Sequence, residues 1–382
     1  MKRNLKTTVI GAALALALSS PAMAGETRSV GDVREDAARQ VAMMINDPTF
    51  DAALREHMTK GRVSLADALR EYAQDADTMA RVDMTDELRD LDREAIRLRG
   101  LDGRIGSLLG LRLHGLDASV TPASLRDVWT AAIGRDPATG EEQVLAYDTN
   151  GREHRYAVDA VPDIPMLVVE SDSPAAVQAG MAVVNETLRT KGLQRSMAPG
   201  ALSKSGAEDL TLLKAIRLAD DKEPDIQGDA EIYAIVSGVG PDGKAQVITK
   251  DMNWLDRDKT WYTPGQDLIN WTNYGTNYVN VQFYESDGNT DFKNLGATLA
   301  NAVGDVSTLV SPGAPAAVLI AGVSKIGAKI IEAMPQSATT NDDDYVDSFY
   351  VIERGGNYGT ETKPLVGAAR NAEMVLEAHK VK

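Results

Sequence analysis

Carboxylates gather in two dense groups. The first lies between two alternating apolar runs, in LTLLKAIRLADDKEPDIQGDAEIYAIVSG, and comprises Asp220, Asp221, Glu223, Asp225, Asp229 and Glu231. The second, Glu285-Ser-Asp287-Gly-Asn-Thr-Asp291, directly follows another strand-like run at 278–284. Acidic loops between strands suit a hard cation, because calcium takes carboxylate and carbonyl oxygens from flexible turns. If the loops meet, Glu231, Glu285, Asp287, Asp291 and Asp343 crowd one edge. Crowded carboxylates either raise their pKa values or bind a cation. With Asp225 heading the first loop, these six are the candidate metal ligands, and calcium is the candidate cofactor and partner.

Other chemistries lack their residues. The chain has no H-E-x-x-H, no G-x-S-x-G and no phosphate-loop pattern. His57, His114, His154 and His379 are scattered, none with a second histidine at ligand spacing. There is no cysteine, which excludes disulfides, thiol catalysis and thiolate metal sites. Gly238-Val-Gly240-Pro-Asp-Gly243 has dinucleotide-loop spacing, but it leads into strand-like residues rather than a helix and reads as a hairpin turn.

The elements that must position the acidic loops are strands. Seven short candidates, at 210–218, 231–237, 246–250, 268–272, 278–284, 348–353 and 372–378, alternate between turn residues. Of the 19 aromatic residues, 14 lie after position 230, which favours β structure there. The expectation is an antiparallel β-sandwich over 205–382. It carries a helical insertion at 295–335, split by Ser311-Pro-Gly-Ala-Pro315. In the second of these helices Lys325, Lys329 and Glu332 share one face, while Leu319, Ile320, Val323, Ile326, Ile330 and Ile331 form the other.

Upstream, apolar residues three and four apart predict a helical region over 25–120, with Asp47-Pro48 as a break and Ser64 as a cap. The charged run 75–99 reads as a solvated helix face. A small α/β unit follows over 121–200: a hairpin turning at Asn150-Gly151, a buried strand at 164–170 and a helix closed by Gly192. Residues 197–206 read as a linker. The fold class is thus α+β multidomain.

The opening residues give an address. Lys2, Arg3 and Lys6 precede a short apolar run, and Ala22-Met-Ala24 has the small-x-small pattern of a signal-peptide cut. Cleavage after Ala24 predicts a periplasmic or secreted protein. The formal charge is −16; losing three cations takes it to −19. Such a surface repels nucleic acid and attracts cations.

The spacing Asp225-x-x-Gly228-x-x-Glu231-Ile-Tyr233 resembles the first calcium loop of the phospholipid-binding β-sandwich of protein kinase C and synaptotagmin. Glu231 stands where that family has a second Asp, and no Pro follows it. Glu285-x-Asp287 with Asp291 is similar to the family's other calcium loop, and Asp342-Asp343-Asp344-Tyr345 to its exit. This resemblance implies calcium binding at a sandwich edge. Across most of its length the chain also resembles an exported bacterial family, domain of unknown function 3103, through DPTFDAALR, EPDIQGDAEIYAIVSG and GAARNAEMVL. That resemblance implies no activity.

The function expected from these readings is a non-enzymatic exported protein that uses calcium for stability or for contact with a membrane surface or protein partner. The alternatives are a hydrolase using paired carboxylates, with or without a metal, and a membrane-active protein using the helical insertion.

Overall fold

A computed structural model describes residues 28–58, 61–74, 79–116, 122–136, 139, 141–171, 173–194, 208–223, 226, 228–304, 306, 314–334 and 343–381. The signal segment 1–24, the linker 197–206 and Asp225 lie outside the described residues.

The N-terminal elements are α1 (Val30–Met44), α2 (Pro48–His57), β1 (Arg62–Ser64), α3 (Leu65–Gln74), α4 (Met79–Leu98) and β2 (Leu109–His114). Local chemistry sets their ends. Ser29 and Asp32 form a capping box on α1, and Asp47 caps α2 with Pro48 in the first turn. Ser64 Oγ accepts the Asp67 amide at 3.3 Å. Next come β3 (Trp129–Arg135), β4 (Glu142–Tyr147), β5 (Glu153–Ala157), β6 (Met166–Ser171) and α5 (Ser173–Thr190).

The stretch 25–120 is not helical throughout. Leu109, Leu111 and Leu113 alternate between buried and half-buried neighbours, so β2 forms a strand and recruits β1. These two complete a six-stranded sheet ordered β1-β2-β6-β3-β4-β5, in which only the β3–β6 pair is parallel. The stretches read as 25–120 and 121–200 therefore share one sheet.

The C-terminal part supplies β7 (Glu208–Leu218), β8 (Ile232–Val239), β9 (Ala245–Asp251), β10 (Gln266–Asn270), β11 (Tyr278–Glu285), α6 (Phe292–Gly304), α7 (Ala316–Ala333), β12 (Asp344–Glu353), β13 (Leu365–Val366) and β14 (Ala372–Val381). All seven strand expectations correspond to observed strands. Together with β13 they form two antiparallel four-stranded sheets, β10-β7-β14-β13 and β12-β11-β8-β9. Leu213, Ile216, Met374 and Leu376 of one sheet share a core with Ala234, Val236, Val281, Phe283 and Phe349 of the other. The chain is a mixed α+β protein.

The opposite face of the second sheet is covered by helices. Tyr233, Ile235, Val247 and Tyr284 join a core with residues of α5, α6 and α7 that continues to α1 and to Leu111, Leu145 and Leu167 of the six-stranded sheet. Polar side chains fix the register of this packing. Asn280 Nδ2 donates to the Val323 carbonyl at 2.7 Å and Gln282 Nε2 to the Gly327 carbonyl at 3.2 Å, one turn apart on α7. Val323, Ile326 and Ile330 of the expected apolar face are buried, whereas Leu319, Ile320 and Ile331 are half-buried. Among the described residues no helix is long and apolar enough to cross a membrane. At the other margin of the sheet, Asn185 of α5 donates to the Thr249 carbonyl at 2.9 Å and accepts the Thr249 amide at 3.0 Å. The Val247 amide reaches the Leu193 carbonyl at 2.9 Å.

One buried carboxylate organises the late turn. Asp347 Oδ1 accepts the amides of Ser348 and Ala369, both at 2.7 Å, and Oδ2 those of Asn371 at 2.8 Å and Ala372 at 2.7 Å. Gly367 packs so closely on that carboxylate that a Cβ would collide with it. Buried N–H groups left without an acceptor cost about 1–3 kcal/mol each. Asp347→Ala is therefore expected to destabilise the chain by about 3–5 kcal/mol, read as a lower urea midpoint.

Candidate functional site

The two acidic loops turn inward, toward the rest of the protein. The loop 285–291 leaves β11 and runs between the start of α1 and the end of α4 before entering α6. Arg99, just past α4, is fully buried and receives it. Its Nη2 donates to the Asp287 carbonyl at 3.2 Å, to Ser286 Oγ at 3.3 Å and to Glu231 Oε2 at 3.3 Å. The Arg99 carbonyl accepts the Phe292 amide at 3.1 Å, and its guanidinium lies 4.9 Å over the Phe292 ring. From α1, Arg34 closes the other side. A Cβ on Gly288 would stand 2.6 Å from Arg34 Nη1, so only glycine allows this approach. Asn289 Oδ1 then accepts the Gly31 amide at 2.7 Å.

The first loop arrives from below. Glu231 precedes β8; its carbonyl accepts the Ser286 amide at 3.0 Å, and its amide reaches Glu285 Oε1 at 3.4 Å. Asp343, at the start of β12, accepts from Tyr233 Oη and from Thr290 Oγ1. Glu223 joins the group electrostatically, acting on both Glu285 and Arg34, and Glu142 of β4 acts from its margin on Glu223, Asp287 and Arg34. Farther along the loop, Arg112 grips Glu170 at 2.7 Å and the Ile226 carbonyl at 2.7 Å, while Arg62 pairs with Asp229 at 3.0 Å. Ile226 itself joins the core on the second face of the six-stranded sheet.

The junction thus holds Glu223, Glu231, Glu285, Asp287 and Asp343 against Arg34 and Arg99. Glu231, Glu285 and Asp343 are buried, and Glu223 and Asp287 half-buried. Full ionisation would leave −5 + 2 = −3. Burial, followed by neighbouring carboxylates, pushes Glu223 and Glu285 well above the usual carboxylate range. Burial and Asp343 push Asp287 up to about 8. Burial also raises Asp343, to about 6, against the hydrogen bonds from Thr290 and Tyr233 and the charge of Arg99, which lower it. Arg34 is lowered by burial and by Arg99. The Nε atoms of Arg34 and Arg99, and Nη1 of Arg99, are buried without a hydrogen-bond partner.

Of the six residues expected as ligands, Glu231, Glu285, Asp287 and Asp343 come together. Asp291 stands apart: it is exposed, and its Oδ1 accepts the amides of Lys293 at 3.0 Å and Asn294 at 3.2 Å as the cap of α6. Among the described residues no group of three or more His, Asp and Glu side chains is arranged to hold a metal ion. The oxygens of Glu231 and Asp343 already serve Arg99, Tyr233 and Thr290. Sequence reasoning missed both arginines, and it counted Glu223 in the first acidic group but not among the ligands. Arg99 ends the charged run 75–99, and the solvated-face reading is wrong for it. The only signal was Gly100 beside it, which ends the helix.

A family model described as a protein of unknown function (DUF3103) matches residues 35–382. No curated protein and no solved structure matches the chain.

A carboxyl group whose pKa is raised on folding binds more protons in the folded chain than in the unfolded one. Its contribution is complete below the unfolded value and disappears as pH climbs through the folded value. With Asp343 raised to about 6 and Asp287 to about 8 from an ordinary 3.8, stability in chelator should fall from about pH 4 to about pH 8, and Asp287→Asn should flatten the part of that decline above pH 6 in thermal melts. Arg99→Met strips a buried cation from its partners and should cost about 3–5 kcal/mol at pH 7 in urea unfolding. Part of that loss should return at pH 5, where the carboxylates take up protons.

Proposed function

The chain belongs to the DUF3103 family, and from its carboxylate junction we propose that it is an exported, non-enzymatic protein in which calcium reinforces the contact between the β-rich C-terminal part and the N-terminal α/β part. The observation that carries this reading is the imbalance of five clustered carboxylates against two guanidinium groups. Only protons or cations can offset it, and a divalent ion offsets most of it at once. Calcium then replaces the protons held by Glu285 and Asp287, so its uptake releases protons and draws those side chains into a shared coordination shell. In this reading the two facing C-terminal sheets are a β-sandwich, with the helix pair α6 and α7 inserted beside its acidic edge.

Catalysis finds less support. Asp343 is held by Tyr233 and Thr290, and Glu231 by Arg99, so both are already engaged by protein groups. His57 is occupied by Glu71 at 2.7 Å and His154 stacks on Trp129 at 4.2 Å. Neither acts on the junction carboxylates. The Lys-rich, apolar, Ala-x-Ala opening supports export to the periplasm or beyond. The millimolar calcium of an extracellular setting matches a site with a Kd of ~10⁻⁴–10⁻³ M.

Calcium titration of the full chain by calorimetry, repeated in two buffers of different ionisation enthalpy, tests the proposal. The expected result is saturable binding with proton release. It should be accompanied by stabilisation of about 2.7 kcal/mol when calcium is a hundredfold above its Kd. Glu285→Gln with Asp287→Asn should remove both effects. No heat and no melting shift in millimolar calcium would rule calcium out.

A further inference from the structure

A second group of arginines lies away from the junction, between α3 and α4. A cavity of about 280 Å³ opens there, lined by Leu65, Ala66, Leu69, Arg70, Arg89 and Arg93, together with Asp92 and Gly106. Leu65 and Leu69 are buried and form an apolar floor. Arg89 and Arg93 stand one turn apart on α4, and Arg70 faces them from α3. Among the described lining residues Asp92 is the one carboxylate, and it is committed. Its Oδ1 accepts the amides of Leu108 at 2.8 Å and Leu109 at 2.6 Å.

Each arginine has a carboxylate partner, but a weak one. Arg70 pairs with Asp67 at 2.7 Å, Arg89 with Asp86 at 3.4 Å, and Arg93 with Asp90. All three pairs are three residues apart on a helix surface and open to water, where such contacts contribute ~0–1 kcal/mol. They yield readily to a ligand that presents its anion from within the groove. Guanidinium groups suit a carboxylate in particular, through paired N–H donors.

We propose that this groove binds a small amphiphilic carboxylate, its anionic head between Arg70, Arg89 and Arg93 and its hydrocarbon tail on Leu65, Ala66 and Leu69. The charge complementarity is local: among the described lining residues stand three cations and one committed carboxylate, in a chain with a net charge of −16. The volume sits at the lower edge of the ~300–1,000 Å³ usual for ligand pockets, so the occupant is short. An inorganic anion would leave the apolar floor unused.

Octanoate titrated into the full chain by calorimetry is the direct test, with acetate and 1-octanol as the head-only and tail-only controls. Saturable octanoate binding is expected, about tenfold or more tighter than either control and weakened by added salt. Arg89→Ala with Arg93→Ala should weaken it by about tenfold or more, and Ala66→Trp should block the floor. Both changes are at positions open enough for circular dichroism to show an unaltered fold. Absence of saturable binding overturns the proposal. So does acetate matching octanoate, or affinity unchanged in both variants.

Discussion

A guanidinium group with no exposure to water holds the protein together at its centre. Arg99 binds Glu231 through its side chain, the 285–291 loop through the Asp287 carbonyl and Ser286, and the start of α6 through its own carbonyl. A buried ion pair is a poor source of net stability, because taking both charges out of water costs nearly as much as their attraction returns. Its contribution is specificity. With Arg99 in place, the end of α4, the lead-in to β8 and the exit of β11 have one mutual arrangement, and each carboxylate nearby has one counter-charge to organise around. Burial raises the pKa values of Glu223, Glu285, Asp287 and Asp343, and the repulsion among anions that two cations do not neutralise adds to it.

The acidic loops therefore act as structural bridges. The 223–231 loop seals the second face of the six-stranded sheet with Ile226 and is clamped by Arg112 and Arg62. Glu170, between those two arginines, still has its pKa raised, because burial outweighs both positive neighbours. The 285–291 loop is pinned from α1 and α4 together. Loops that would wave in water around an ion in an isolated sandwich are here part of a contact between two halves of the chain. This explains why their oxygens are engaged before any ion arrives.

Much of this was legible from residue order. Alternation and turn residues placed seven of the eight described C-terminal strands, missing only the two-residue β13, and the helix pair followed from its apolar spacing. The gathering of Glu231, Glu285, Asp287 and Asp343 was readable because each sits at a strand end, and strand ends in one sheet are neighbours. Three things were hidden. The segment at 109–114 is short, and its Leu-Gly-Leu-Arg-Leu alternation continued a long helical text, so its strand pairing with β6 depended on partners 52 to 62 residues away. Arg99 looks like every other arginine of a charged helix until the loop that covers it is known. The family-marking GAARNA stretch carries no chemistry of its own, since its role is to offer backbone amides to Asp347.

The pairing of Asn185 with Thr249 has a consequence beyond local packing. A terminal strand with free amides and carbonyls is a template on which another chain can grow. Here a side-chain amide poses as a strand residue, donating and accepting where the next backbone would, and Leu193 fills the following position. The β9 rim is thus occupied by the protein's own helix and its exit. A second molecule finds the outward-facing groups of Val247 and Thr249 already taken, and Lys250 and Asp251 add charge at the end of the same strand.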